Sequence, residues 1–215
     1  MQQAELETWA AALKAYDEED FQKSLDLFSV RVVVPSHLRA LLTSAQGIAD
    51  SSKILTNMGL IYATLGEHET AVENFNAATS LDQYLAVAYF QCGVSNFLLA
   101  RYELALKDFE EALLYLRGNQ AMLVPCDCFP LWIFTPSFSN YEQLGLKFKL
   151  YSAEVLFNKG LSQVYLGRAN EGLQDMEVAC QEKSTEEHNV IDDAIMDRGE
   201  GYTVFSIVSS LLQCH

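Results

Sequence analysis

The chain has 215 residues, half of them hydrophobic, and a formal net charge of −15 with a pI near 4.5. That length allows one sizeable domain or two small ones with a real core, while the acidity argues against a nucleic-acid groove or an anionic membrane surface and suits a partner with a basic patch. The five cysteines, Cys92, Cys126, Cys128, Cys180 and Cys214, are odd in number and scattered, so they read as free thiols of a reducing compartment. The acidic start at Met1 has no signal-peptide core, and no apolar run reaches the length of a membrane span.

The first predicted helix, residues 4 to 17, carries Leu6, Trp9, Leu13 and Tyr16 on one stripe and ends at an acidic turn, Asp17 to Asp20. Phe21 to Ser29 reads as its partner. From Val30 to Gln46 the pattern breaks: there is no acidic residue, and Pro35 stands where a helix avoids proline. Two further helix pairs follow, Ser52–Leu65 with Glu69–Ser80 and Leu85–Leu99 with Tyr102–Leu116. They match each other at a spacing of 34: Gly59 with Gly93, Ala71 with Ala105, Phe75 with Phe109, Ala78 with Ala112. Ser24 and Phe28 take the same small and aromatic places in the first pair. A 34-residue helix–turn–helix period with small residues at the crossing is the tetratricopeptide (TPR) signature.

A second break, Met122 to Ser139, holds three of the four prolines and is expected to be an irregular apolar loop. Its Cys126-x-Cys128 lacks the spacing of a zinc site, and no metal is expected. The period returns with a long helix Phe148–Tyr165 and its partner Ala169–Gln181. Gly160 takes the place of Gly93, and Gly172, Met176 and Ala179 take the small, bulky and small places. A last helix from Glu186 to about Gly199 would be capped by Thr185. The expected fold is all-α, a tetratricopeptide-repeat superhelix of four helix pairs plus a C-terminal helix. An insertion from about Arg117 to Gly145 separates repeats 3 and 4.

Several strings resemble one family. Leu85-Ala-Val-Ala-Tyr-Phe-Gln-x-Gly93, Leu113 to Gln120, and Tyr141 to Leu150 are similar to the N-terminal TPR domain of NADPH-oxidase activators. Leu65 to Glu69, Leu81 to Leu85 and Glu200 to Ile207 resemble its fungal branch, NoxR. The resemblance implies a non-catalytic regulatory domain that binds the GTP form of the small GTPase Rac and reaches the membrane subunit of the oxidase indirectly. It would be cytoplasmic, recruited to the membrane through partners, without a cofactor, direct membrane insertion or nucleic acid. By position, the resemblance assigns Rac contacts to Ser52 and Asp82 in two inter-repeat loops and to Arg117 and Asn119 at the start of the insertion. Tyr84 stands where the family has a histidine, and Ala121 and Asn140 where it has a leucine and an aspartate. Without the resemblance, Ser52 and Asp82 read as caps of the following helices, and Arg117 as a charge facing a helix dipole.

The breaks interrupt the resemblance. Val30 and Val208 require codons beginning GT, Met122-Leu123 can be read as AT-GTT, and Gln46 is compatible with CAG. These are the ends of introns, and removing the first two segments in frame restores the helical text. The expected organisation is therefore a TPR domain over 1–207, interrupted by aberrant segments 30–46 and 122–139 and followed by an aberrant tail, 208–215. The family's activation region would lie beyond Ile207 and be missing.

No Gly-rich phosphate loop or Ser/His/Asp set is visible, so no enzyme is expected. The alternative is a generic TPR adaptor gripping a partner peptide, such as a chaperone C-terminus. That needs inward lysines, arginines and asparagines to hold a carboxylate; Asn57 and Lys53 are available, but the helix at Leu85–Leu99 offers only Asn96 and no cation.

Overall fold

The computed structural model describes residues 3–32, 45–121, 138–140 and 149–207. The chain divides into two compact units between Gln83 and Tyr84. The first holds α1 (Gln3–Asp17), α2 (Phe21–Val32), α3 (Ala45–Thr64) and α4 (His68–Leu81). The second holds α5 (Ala86–Leu98), α6 (Tyr102–Ala121), β1 (Phe138–Asn140), β2 (Lys149–Tyr151), α7 (Ser152–Tyr165) and α8 (Ala169–Gln181). A 3-10 turn, Glu186–Asn189, and α9 (Val190–Met196) follow.

Each pair, α1–α2, α3–α4, α5–α6 and α7–α8, packs as an antiparallel hairpin. The same turn closes all four. A residue in the left-handed region follows the first helix: Glu19 (φ 60°), Gly66 (φ 80°), Ala100 (φ 58°) and Gly167 (φ 82°). Its N–H bonds the carbonyl three residues back, and the next N–H bonds the carbonyl five back, as Gly66 to Ala63 and Glu67 to Tyr62 do at 3.1 and 2.9 Å. This is the Schellman closure, which satisfies orphan carbonyls at a helix end. It recurs at Tyr16/Ala15, Phe97/Asn96 and Val164/Gln163. The first and last pairs, which the 34-residue spacing reaches only through gaps, thus share the backbone signature of the middle two.

Close helix approach does the rest. A Cβ on Gly59 would lie 2.6 Å from the Phe75 ring, and one on Gly93 2.7 Å from the Phe109 ring. Both rings are fully buried, each contributing roughly 2–3 kcal/mol of burial. In α7–α8 two glycines face each other instead: a Cβ on Gly160 would lie 2.5 Å from the Gly172 carbonyl oxygen. The first pair reaches the same proximity with a hydrogen bond, the buried Ser24 hydroxyl donating to the Ala12 carbonyl at 2.9 Å. Phe28, expected in the core, is there with Leu25, Ile54 and Ile61. In the second unit α5 is buried on nearly every face, as a central helix must be when it is apolar all round.

Between α5 and α6 three polar groups form a small network. Asn96 donates to Asp108 at 2.7 Å, and its amide nitrogen lies 3.6 Å from the Cys92 sulfur. Burial pushes the Asp108 carboxyl up against the lowering effect of the Asn96 bond. Burial and the neighbouring Asp108 push the Cys92 thiol up as well. Cys92 and Cys180 are both free thiols.

Four expectations need correction. The helix expected over Phe148–Tyr165 starts at Ser152, because Lys149–Tyr151 pairs antiparallel with Phe138–Asn140. Leu150 points in and Lys149 out, the alternation of a strand, and Glu154 accepts the Tyr151 N–H at 3.2 Å to begin the helix. The end of the expected irregular loop is therefore a strand. Val30–Val32 continue α2, since no breaker precedes Pro35, and Ala45–Gln46 already belong to α3. Thr185 stands at the N-cap but makes no side-chain cap bond; it opens a 3-10 turn before a shorter helix. The remainder of 30–46 and 122–139, Cys126, Cys128 and the tail 208–215 lie outside the described residues.

Three outcomes follow from these contacts. Ala100→Gly should stabilise the protein by about 0.5–1 kcal/mol in a urea titration, because a left-handed alanine is strained and the relief exceeds the added unfolded-state entropy. Gly160→Ala should destabilise it by about 2 kcal/mol: the new methyl meets backbone, which cannot rotate away, and overpacking outweighs the helix-propensity gain. Asp108→Asn should raise the melting temperature at pH 7 and lose that advantage as pH falls toward 4. A raised folded pKa favours the protonated carboxyl, so Asp108's contribution is full below its unfolded pKa and declines as pH rises through the folded one.

Candidate functional site

The four residues of the expected partner surface fall in different settings. Ser52 lies inside α3, fully buried, with its carbonyl accepting the Thr56 hydroxyl at 2.9 Å. It is neither in a loop nor a cap, because Ala45–Ser51 carry no proline and coil into the helix ahead of it. Asp82 is the C-cap of α4, its N–H bonding the Ala78 carbonyl at 2.9 Å, and is partly exposed. It does not cap α5, whose N-cap is Leu85 without a side-chain bond. Arg117 and Asn119 lie in the last turns of α6, which runs on to Ala121. Ser52 and Asp82 belong to the first unit, Arg117 and Asn119 to the second.

An aromatic cluster adjoins Arg117 along the chain. Tyr115 stacks on Tyr89 with centroids 5.4 Å apart, and Tyr84 meets Tyr115 edge-on at 5.7 Å. Tyr84 is 63% exposed. Partial burial and the Glu111 carboxylate, which also accepts the Tyr115 hydroxyl, hold that phenol above its usual range. Tyr84 thus presents an exposed ring supported by Tyr115.

A second site was not anticipated. After α9, Gly199 and Gly201 (φ 76° and 83°) turn the chain back, and residues 202–206, which form neither helix nor strand, lie against α7 through Phe205. Asn158 holds this strap by its backbone: the amide nitrogen donates to the Phe205 carbonyl at 2.9 Å and the amide oxygen accepts the Phe205 N–H at 2.7 Å. The Phe205 ring stands edge-on to Phe157 at 5.1 Å and to His188 at 6.0 Å. His188 is itself buried. Its Nδ1 accepts the Ser184 N–H at 3.1 Å, and its Nε2 lies 3.7 Å from Glu154. Val204 and Ile207 are buried on the strap, and the Tyr202 hydroxyl donates to Asp197 at 2.9 Å.

The sequence held a signal for Asn158. It stands two residues before Gly160, as Asn57 does before Gly59 and Gln91 before Gly93. A buried amide recurs at one repeat position, which polar residues seldom occupy by accident. Phe205 carried no such signal, since a single extended segment has no period. Among the described residues no group of three or more His, Cys, Asp or Glu could hold a metal ion, and no helix is long and apolar enough to cross a membrane.

The tetratricopeptide repeat family matches residues 52–84. Neutrophil cytosol factor 2 of Homo sapiens is 31% identical over 187 residues, which is 87% of this chain and 29% of that protein. NADPH oxidase activator 1 of Rattus norvegicus is 37% identical over 116 residues, 54% of this chain and 22% of that protein. Among solved structures, YrrB, a TPR protein with an unusual peptide-binding site, superposes with a TM-score of 0.58 at 13% identity, covering 88% of this chain and 74% of that one. That likeness bears on the fold alone. The chain spans less than a third of the length of these two relatives. It is an all-α protein of tetratricopeptide repeats, and it resembles the TPR domain of the NADPH-oxidase activators.

Proposed function

We propose that the chain is a non-catalytic, cytoplasmic TPR domain that binds GTP-loaded Rac and through it regulates a superoxide-producing NADPH oxidase. The observation carrying this reading is the similarity to neutrophil cytosol factor 2 over 87% of the chain and to NADPH oxidase activator 1 over 54%. Arg117 and Asn119 at the end of α6, and Asp82 at the end of α4, are the proposed contacts. Arginine offers five donors in a fixed fork, suited to the carbonyls and carboxylates of a GTPase switch surface. Tyr84 and Tyr115 add rigid aromatic area at low entropic cost. Ser52, the fourth proposed contact, is buried in α3.

The chaperone-type adaptor is less well supported. Helix α5 contains no lysine or arginine, and Lys159 on α7 is engaged by Asp175 at 3.1 Å. A carboxylate clamp needs such cations to be available. In the same proposal, 30–46, 122–139 and 208–215 are translated intron sequence, which sequencing a spliced transcript would decide.

Titration with Rac tests the site. The chain should bind GTP-loaded Rac and leave GDP-loaded Rac unbound, and Arg117→Glu should weaken the GTP-dependent binding at least 30-fold, the equivalent of about 2 kcal/mol, with helicity unchanged. Equal binding by the parent and the charge-reversed protein would falsify the assignment.

A further inference from the structure

Cys180, Lys183 and Asp192 come together where α8 gives way to α9, away from both surfaces described above. Cys180 lies in the last turn of α8, Lys183 just past its C-cap, and Asp192 in the first turn of α9. The Cys180 thiol donates to one Asp192 oxygen at 2.9 Å, and the Lys183 ammonium pairs with the other oxygen. An ion pair alone would tie α9 to the end of α8. A thiol on the same carboxylate adds little to that tie, because S–H is a weak donor. What the arrangement does supply is proximity: a sulfur and an amine nitrogen are held side by side on one carboxylate.

The three groups also sense one another. The bonds from Cys180 and Lys183 hold the Asp192 carboxyl below its usual range. The bond to Asp192 holds the Cys180 thiol and the Lys183 ammonium above theirs. The resting cluster therefore keeps its protons, which slows attack by the sulfur without closing it. Access separates Cys180 from the other described thiol. Cys92 also lies beside a carboxylate, Asp108, but is only 2% exposed. Cys180 is half-buried, and the Lys183 and Asp192 side chains around it are 24% and 40% exposed, so a small oxidant can reach the sulfur from solvent.

We propose that Cys180 and Lys183 form a reversible modification site, which hydrogen peroxide converts to a sulfur–nitrogen cross-link, with Asp192 as the positioning residue. In the first step the Cys180 sulfur attacks one peroxide oxygen and the O–O bond breaks. The thiol proton leaves with the departing hydroxide as water, so the sulfur is oxidised to a sulfenic acid and the peroxide is reduced. In the second step the Lys183 ammonium sheds one proton to solvent and its nitrogen attacks the sulfur. The S–N bond forms, the S–OH bond breaks, and the leaving hydroxide takes a second proton from the nitrogen as water. Sulfenic acids condense in this way even with backbone nitrogen, and a lysine amine is the stronger nucleophile. The product removes the positive charge that Asp192 pairs with. The site does not rest on the Rac reading.

Peptide mapping of the full chain after peroxide treatment tests this. Between Arg168 and Arg198 the one tryptic cleavage point is Lys183. A lysine bonded to sulfur resists trypsin, so the treated chain should yield an uncut peptide 169–198, lighter by two hydrogens, and dithiothreitol should restore cleavage. Lys183→Arg keeps the charge but not the nucleophile; it should give no cross-link and leave a Cys180 sulfenic acid that dimedone traps. Asp192→Asn should shift the ratio of cross-link to dimedone adduct downward by roughly fivefold, the loss of proximity. Cleavage after Lys183 that peroxide does not diminish overturns the proposal, whether Cys180 stays reduced, passes to the sulfinic acid or pairs with another cysteine. Loss of the same two hydrogens from the Lys183→Arg peptide overturns it too, and an unchanged ratio in Asp192→Asn overturns the positioning role. The parent chain alone decides the cross-link, so a variant that misfolds does not alter that result.

Discussion

Everything in this molecule rests on how closely the two helices of a pair can approach. A helix with a glycine or alanine at the crossing lets its partner's ring or backbone come within van der Waals contact, and the interior then reaches crystal-like density without strain. Gly59 and Gly93 each admit a phenylalanine, and Gly160 and Gly172 admit each other's backbone. These are alternative fillings of one geometry. A large ring needs one small neighbour. Two glycines need no ring, and Met176, flexible and fully buried, fills what remains. The left-handed turn then fixes the hairpin, so the crossing and the closure specify each other.

The repeats were legible because their determinants are local and periodic. Gly59, Phe75, Gly93 and Phe109 announce themselves at fixed spacing, and the bounds of Ala169–Gln181 were read directly from its stripe. What the sequence hid depends on pairing across distance. The strand at Lys149–Tyr151 looked helical because three residues directly ahead of a helix fit either period. Only its partner at Phe138–Asn140 settles the matter. Thr185 had the chemistry of a cap, but its hydroxyl makes no cap bond, and its carbonyl accepts the His188 N–H in a turn tighter than an α-helix. Ser52 shows the opposite limit: resemblance placed it in a loop, while a helix that starts earlier enclosed it.

The proposed partner surface and the strap contact differ in kind. Asp82, Arg117 and Asn119, three of the proposed Rac contacts, are polar residues at helix ends. The α7 face is an interior surface, built of a buried amide and aromatic rings and covered by the chain itself. Sequence resemblance could name the first, because its residues are adjacent in short strings. The second needed coordinates, although the recurring amide ahead of each crossing glycine was visible all along.

The strap also changes how the fold must assemble. Most contacts in a hairpin repeat join residues within one period, which makes collapse of each pair fast. The bond between Asn158 and Phe205 joins residues 47 apart, and its acceptor surface exists only after α7 has docked. It therefore belongs to the late side of the folding barrier. Interactions formed there leave the folding rate almost untouched and slow unfolding instead. Persistence of the second unit, as distinct from its equilibrium stability, is thus governed in part by six residues that belong to no repeat.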